Sequence, residues 1–316
     1  MITEIKELKF ESDYFTLFKL ANNCYAAIEK ENTLTGSNAG FVDLGDKIIV
    51  FDTFLNLDAA KDLIKAVKEI TGKKPDFVIN SHFHTDHIVG NQLFDVPIIA
   101  MEQTKESIEK YLPETMIKLK ALPDDFVEKR REEIKSEQDQ DNKKNLENEL
   151  KFIENLLKHK IEVTPPNKII NENIVLEGKE ANADIEIVEN AHSLGDIIMK
   201  IADQKICFMG DLLFSDEFTW IGSGNPYNLI DITKKLLQED YEYFIPGHGP
   251  ISTKKDLKLQ LKYLEEILVI AKQRLKENKS IKEIQVSDLS AEFQDWDDLV
   301  FKWNNNFLET FLKAEE

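Results

Sequence analysis

Four side chains of metal-binding type crowd into Ser81-His82-Phe83-His84-Thr85-Asp86-His87, directly after the apolar run Phe77-Val78-Ile79. Three of the chain's 6 histidines fall there. Histidine is the commonest metal ligand, and neutral imidazole with carboxylate suits zinc. On an extended stretch, alternate side chains point to one side, which groups His82 with His84. Asp86 and His87 then begin a new direction, read as the first turn of a helix running through Gly90. One short loop can thus serve two adjacent metals. The bland alternative is a chance surface cluster. A loop that must hold such a geometry belongs at a strand end of an α/β layered core.

Three distant residues add to the cluster. His192 lies in Asn190-Ala191-His192-Ser193-Leu194-Gly195-Asp196, just after a strand-like run; alone it reads as a polar loop residue. Asp211 follows the apolar run Ile206 to Gly210, where a buried carboxylate needs a partner because an unpaired buried charge is costly; a helix cap is its plainer reading. His248 lies in Pro246-Gly247-His248-Gly249-Pro250, and the flanking glycines allow close backbone approach; a simple turn is the alternative. His159 sits near the end of a charged helix, where the dipole favours a protonated imidazole, and is assigned no catalytic role.

Around these residues the chain alternates. Residues 14 to 29 read as two strands about an Asn-Asn turn. Residues 39 to 53 read as a hairpin closed by Gly45-Asp46, and residues 58 to 71 as a helix ending at Gly72. Residues 101 to 160, dense in charge of both signs, read as a helical insertion, with a turn near Asp139 to Asn142 and an apolar stripe of Leu146, Leu150, Ile153 and Leu157. A spacer, a lid and a dimer arm all fit that segment, since long insertions in compact domains are often functional. After Thr164-Pro165-Pro166, strand-like runs return at 168–170, 174–176, 184–188, 197–201 and 205–209. Residues 254 to 278 read as an amphipathic helix, and 281 to 316 as a helical, aromatic-rich tail. Two halves of similar strand content flank the insertion, as in a sandwich of two sheets covered by helices.

The formal net charge of −19 over 316 residues argues against nucleic acid as substrate, because phosphate binding calls for a basic patch. No apolar run reaches the ~18 residues of a membrane span, and the N-terminal MITEIKELKF lacks a basic, then apolar, signal pattern. A cytoplasmic location follows as an expectation. Cys24 and Cys207 both lie in strand-like stretches and read as buried free thiols, with nothing in their spacing to support a disulfide.

The pattern His82-x-His84-x-Asp86-His87, then His192, Asp211 in Gly210-Asp211 and His248 between two glycines, resembles the metal-ligand set of the metallo-β-lactamase superfamily. Ser37-Asn38-Ala39-Gly40-Phe41 and Val50-Phe51-Asp52-Thr53 resemble the stretches that open that fold. The resemblance covers roughly residues 15 to 250 apart from the insertion. It implies a four-layer αββα sandwich spanning 1–316 as one domain, with a helical insertion at about 101–160 and a helical C-terminal segment at 254–316. It also implies His82, His84 and His192 on one metal, Asp86, His87 and His248 on a second, and Asp211 bridging. The cofactors implied are two divalent ions, zinc first, with iron or manganese as alternatives.

The activity implied is hydrolysis of an ester, thioester, lactone or related bond of a small molecule by a hydroxide shared between two metals about 3.5–4 Å apart. Asp86 is the candidate catalytic residue, orienting that nucleophile. Asp52 and Asp196 are candidates to orient the ligand histidines. An acid at position 211 resembles the non-β-lactamase branch, since β-lactamases of this fold that use a cysteine in the second site place it there. Two alternatives remain: a mononuclear iron enzyme similar to persulfide dioxygenases, and a non-catalytic partner-binding module. Trp220 and Tyr227 are candidates to line the pocket, core packing being equally open to them. A homodimer through the helical arm or tail is an open option.

Overall fold

The computed structural model describes residues 5–31 and 33–315. The reading of the first four residues as free of a signal pattern therefore lies outside the described residues, as does the tail's last residue. Two sheets form the centre. The first contains β1 (Lys6–Glu7), β2 (Phe15–Lys19), β3 (Cys24–Glu29), β4 (Ala39–Asp43), β5 (Ile48–Phe51), β6 (Phe77–Ile79), β7 (Ile98–Ala100) and β8 (Lys168–Ile169), in that spatial order. It is antiparallel as far as β5 and parallel from β5 to β8. The second, β9 (Ile174–Glu177), β10 (Asn182–Glu189), β11 (Gly195–Ile201), β12 (Ile206–Phe214) and β13 (Tyr243–His248), runs in the order 13-12-11-10-9. The two halves are therefore unequal. The strand after the insertion extends β7 in parallel, pairing Ile99 with Lys168, so the insertion is one long crossover within the first sheet.

Alternation of side chains explains the layering. Ile49 and Phe51 of β5 meet Ile197, Met199, Phe208 and Ile245 between the sheets, while Ile48 and Val50 face outward onto α1 (Leu57–Thr71) through Ala59, Leu63 and Ala66. In β12, Phe208 points inward; Cys207 and Met209 point outward onto the helices that cover the second sheet. Those helices are α6 (Pro226–Gln238), α7 (Lys254–Lys276) and α8 (Leu299–Glu315). The architecture is the expected αββα sandwich. The two cysteines face different layers, and both are buried free thiols.

Local signals account for most boundaries. Asn56 caps α1 by accepting from Asp58 N at 2.7 Å, and Gly72 ends it at φ 73°. The helix expected from Asp86 through Gly90 is a single turn, α2 (Thr85–Ile88), that tightens into a 3-10 segment. The cause is close packing: a Cβ at Gly90 would lie 2.0 Å from Thr53 O, and Gly90 N donates to Phe54 O instead of up its own helix.

The insertion holds three helices, α3 (Glu102–Lys120), α4 (Phe126–Ser136) and α5 (Gln140–Lys158), with Asp139 capping the last. The α5 stripe buries Leu146, Leu150 and Ile153, but its last turn buries Leu156 and exposes Leu157. That turn packs on Leu55, Leu57 and Val89 of the body. The tail is three 3-10 turns before α8, and its Phe293 and Phe301 are buried around Phe218 and Tyr263. Helix α6 was not expected; Asn225-Pro226, a cap followed by proline at the first helical position, was its signal. Among the described residues no helix is long and apolar enough to cross a membrane.

Candidate metal centre

The seven expected residues meet at one edge of the sandwich. β10 and β12 run in the same sense, each antiparallel to β11, and β13 is parallel to β12. Their C-terminal ends therefore share an edge, which carries His192 after β10, Asp211 within a bulged β12, and His248 at the end of β13. The loop after β6 brings in the remaining four from the other sheet. Asp211 is thus no helix cap: its strand continues to Phe214.

Two groups result, His82, His84, His192 and Asp211 in one and Asp86, His87 and His248 in the other, with ligand atoms in each within 4.8 Å of one another. Asp211 faces both. Its Oδ2 lies 3.5 Å from His82 Nε2 and 3.3 Å from His192 Nε2, and its Oδ1 lies 3.0 Å from His87 Nε2 and 3.4 Å from His248 Nε2. Asp86 Oδ2 completes the second group at 3.4 Å from His87 Nε2 and 3.3 Å from His248 Nε2. This approach needs glycine at 247, where a Cβ would sit 1.8 Å from Asp211 Oδ1.

Proton accounting at the outer nitrogens fixes what the inner ones present. Ser81 Oγ donates to Asp52 Oδ2 at 2.7 Å, so towards His82 Nδ1, at 2.9 Å, it accepts. His192 Nδ1 donates to the Trp220 carbonyl at 3.0 Å. Ser223 Oγ donates to His192 O at 2.9 Å, so it accepts from His84 Nε2 at 3.2 Å. Each of these imidazoles spends its proton outward. His82 Nε2, His84 Nδ1 and His192 Nε2 therefore converge as lone pairs, only 2.7 and 3.1 Å apart about His84. Three lone pairs held that close are mutually repulsive unless a cation lies among them.

Burial and the neighbouring His192 hold the His84 imidazole down at about 3, and burial likewise keeps His82 well below the ordinary histidine range. In the second group burial again opposes charge, but the Asp211 and Asp86 carboxylates outweigh it and raise both His87 and His248 well above that range. Without a metal, protons there supply the positive charge that the carboxylates demand. His87 Nε2 and Asp211 Oδ1 face each other at 3.0 Å, both buried, without the alignment of a hydrogen bond. This donor set fits divalent cations.

Asp52 orients both groups. It accepts from Ser81 N at 2.7 Å, from Ser81 Oγ, and from His87 Nδ1 at 2.8 Å. Its backbone has φ 61°, a conformation costing about 1–3 kcal/mol in a non-glycine residue and typical of functional positions. Asp196 instead holds backbone, accepting from His192 N and Ser193 N. Asn38 stitches the His248 loop to the first sheet: its side chain donates to Pro246 O and Gly249 O, and its backbone N donates to Gly247 O. Ser37 Oγ donates to Asp86 O. Sequence reasoning had singled out the stretch containing Ser37 and Asn38 without giving either a role.

It placed the glycine-containing loop around Ser223 near the site without a role for Ser223, and it gave no signal for the Asn304 contacts described below. Trp220 does reach the centre, its ring 4.8 Å from that of His84. Tyr227 does not; it packs on Phe311 and bonds Glu315. His159 lies away from the cluster at 3.5 Å from Asp58, and burial lowers its pKa, against the dipole expectation.

A histidine–aspartate cluster that could hold metal ions stands at the edge between the two sheets of an αββα sandwich. The model of the metallo-beta-lactamase superfamily matches residues 32–248, more than half of the sequence, and the chain belongs to that superfamily. Among solved structures it is similar to a metallo-beta-lactamase from Pontibacter korlensis, at 13% identity and a TM-score of 0.54, over 83% of this chain and 99% of that one. It is also similar to a metallo beta lactamase from Erythrobacter litoralis with beta mercaptoethanol in the active site, at 14% identity and a TM-score of 0.57, over 83% and 100%. At such identities the likeness is one of fold. No curated protein matches the chain.

Proposed function

We propose that the chain is a binuclear metallo-hydrolase that cleaves an ester, thioester, lactone or related bond of a small molecule. In this reading His82, His84 and His192 hold one divalent cation, Asp86, His87 and His248 a second, and Asp211 bridges them. The observation that carries it is the set of three lone pairs of His82, His84 and His192 aimed at one point, beside a carboxylate with one oxygen facing each group. Two such cations, most readily zinc, would supply Lewis acidity and lower the pKa of water from 15.7 towards about 7.

The chain's own residues do the rest. Ser81, Trp220 O and Ser223 fix the imidazole tautomers; Asp52 keeps His87 and Ser81 in place; Asp86, partly exposed at the rim, would accept a hydrogen bond from an attacking water and orient it. An acid at position 211 favours the non-β-lactamase branch. The test is metal content per chain by elemental mass spectrometry, followed by turnover of thioesters, lactones and phosphoesters. About two ions per chain with turnover of one class is expected. One iron without zinc would redirect the reading to oxygen chemistry, and no metal after reconstitution would end it.

A further inference from the structure

The ligands are not equally reachable. His82, His87, His192 and Asp211 are buried, whereas His84, Asp86 and His248 are partly exposed. Substrate therefore approaches over the edge formed by those three. At its His84 end that edge is aromatic. The Phe83 ring lies 4.4 Å from His84 and the Trp220 ring 4.8 Å from it. Tyr111 of α3 follows, 5.6 Å from Phe83. Phe83 also anchors α3 through Ile108 and Leu112, which is structural work. Tyr111 is different. It is 43% exposed, with the Lys110 ammonium over its ring at 4.6 Å. Leu194, two residues beyond His192, is 53% exposed. Large apolar side chains left open beside a convergent polar centre mark a ligand surface.

Trp220 is also held rigidly. Asn304 of α8 grips both its neighbours, donating to Thr219 O at 2.7 Å and accepting from Ile221 N at 3.0 Å. Gln260 of α7 accepts from Thr219 Oγ1 at 2.6 Å. An indole fixed before binding loses little freedom when a ligand docks on it.

We infer that the His84 rim, between Trp220 on one side and Phe83 with Tyr111 on the other, is a binding site for a flat apolar group of the substrate, an aromatic acyl or leaving group. The inference rests on the hydrolytic reading of the cluster. Because Trp220 engages His192 through its backbone carbonyl, the side chains of Trp220 and Tyr111 can be changed without removing any hydrogen bond to a ligand histidine.

The experiment has two arms on the metal-loaded full chain. Calorimetric binding of 2-naphthaleneacetamide, which is not an ester or thioester, reads the rim alone. Competition between phenylacetyl and acetyl thioesters of N-acetylcysteamine reads it during turnover. Wild type binds the probe and prefers the phenylacetyl thioester. Tyr111→Ala and Trp220→Ala each weaken probe binding about tenfold and lower the phenylacetyl-to-acetyl ratio of kcat/KM to a similar degree, mainly through KM, with metal per chain unchanged in Tyr111→Ala. Trp220→Phe recovers part of both effects. Equal probe affinity in wild type and Tyr111→Ala, a variant of an exposed residue that cannot fail merely by misfolding, overturns the inference. So does a wild type that fails to bind the probe. Probe binding that responds to these variants in a chain that turns over neither thioester supports the rim and counts against the hydrolytic reading instead.

Discussion

Asn304→Leu tests how far the candidate metal centre depends on a helix that contributes no candidate ligand to it. Asn304 is fully buried. Its Oδ1 accepts from Ile221 N at 3.0 Å, and its Nδ2 donates to Thr219 O at 2.7 Å and to Tyr263 Oη at 2.8 Å. Leucine has the same branched shape, is bulkier and carries no polar atom, so three groups lose their partner while no cavity opens. An unpaired buried group costs about 1–3 kcal/mol. Some relaxation is expected, which leaves a loss of about 3–5 kcal/mol and a Tm lower by roughly 10 °C for a chain of this size. The second effect is specific. The Trp220 carbonyl lies between the two gripped residues and holds His192 Nδ1, so release of the grip loosens one ligand of the first group. Loss of a direct outer partner typically costs 10–100-fold in metal affinity; acting one residue away, Asn304→Leu should cost about tenfold, at one of two sites. Zinc competition against a chromophoric chelator separates the two affinities, and the visible spectrum of the cobalt-substituted protein reports altered geometry at the weakened site. A lowered Tm with both metal affinities and the cobalt spectrum unchanged would refute the coupling.

Asp52→Ala should weaken both metals together, by about 10–100-fold each, since this carboxylate serves His87 directly and His82 through Ser81; elemental analysis after dialysis against a weak chelator would show it, and loss of a single ion would contradict the shared role. A pH test bears on the insertion. Asp58 accepts from Lys158 and Lys61, at 2.8 and 2.9 Å, which lowers its pKa to about 2 from 3.8. A depressed folded-state pKa gives stability that is present above the unfolded value and lost as pH falls through the folded one. Solvent screening limits it to about 0.5–1 kcal/mol. Asp58→Asn should therefore be less stable than wild type at pH 6 in urea unfolding, with the difference shrinking as pH falls from about 4 towards 2; a constant difference would place its cause elsewhere.

The candidate ligands were legible in the sequence because a metal site needs particular residue types, and these are rare enough to stand out when they cluster after apolar runs. Six histidines in the whole chain, with five at strand ends, leave few other arrangements. The strands and α1 were readable from alternation, Asn-Asn and Gly-Asp turns, and the Gly72 stop. The outer partners were not, for a physical reason. Ser81, Ser223 and the Trp220 carbonyl each do one hydrogen bond's work, and any polar group or backbone carbonyl brought to the right place could do the same. Only the fold reveals that His84 and Ser223, 139 positions apart, are 3.2 Å apart. The turn from Leu157 to Leu156 in α5 was hidden likewise, because two adjacent leucines satisfy the periodicity equally and contact with Leu55 and Leu57 decides between them.

The placement of these supports separates what the fold shares from what this chain adds. The family match ends at residue 248, and all seven candidate ligands lie within it. Gln260 and Asn304, which set the Thr219–Ile221 segment, lie beyond it on the outer helical layer. Tyr111 lies within the crossover between β7 and β8. The insertion, open in the sequence to a spacer, a lid or a dimer arm, and the tail thus both reach the His84 rim. The insertion reaches it through Tyr111 on Phe83; the tail reaches it through Asn304 on the neighbours of Trp220. A common centre can be carried by many chains, since it needs only seven side chains at one sheet edge. Under the proposed function, recognition of a substrate needs surfaces above that edge, and in this chain both are anchored in segments that contribute no candidate ligand.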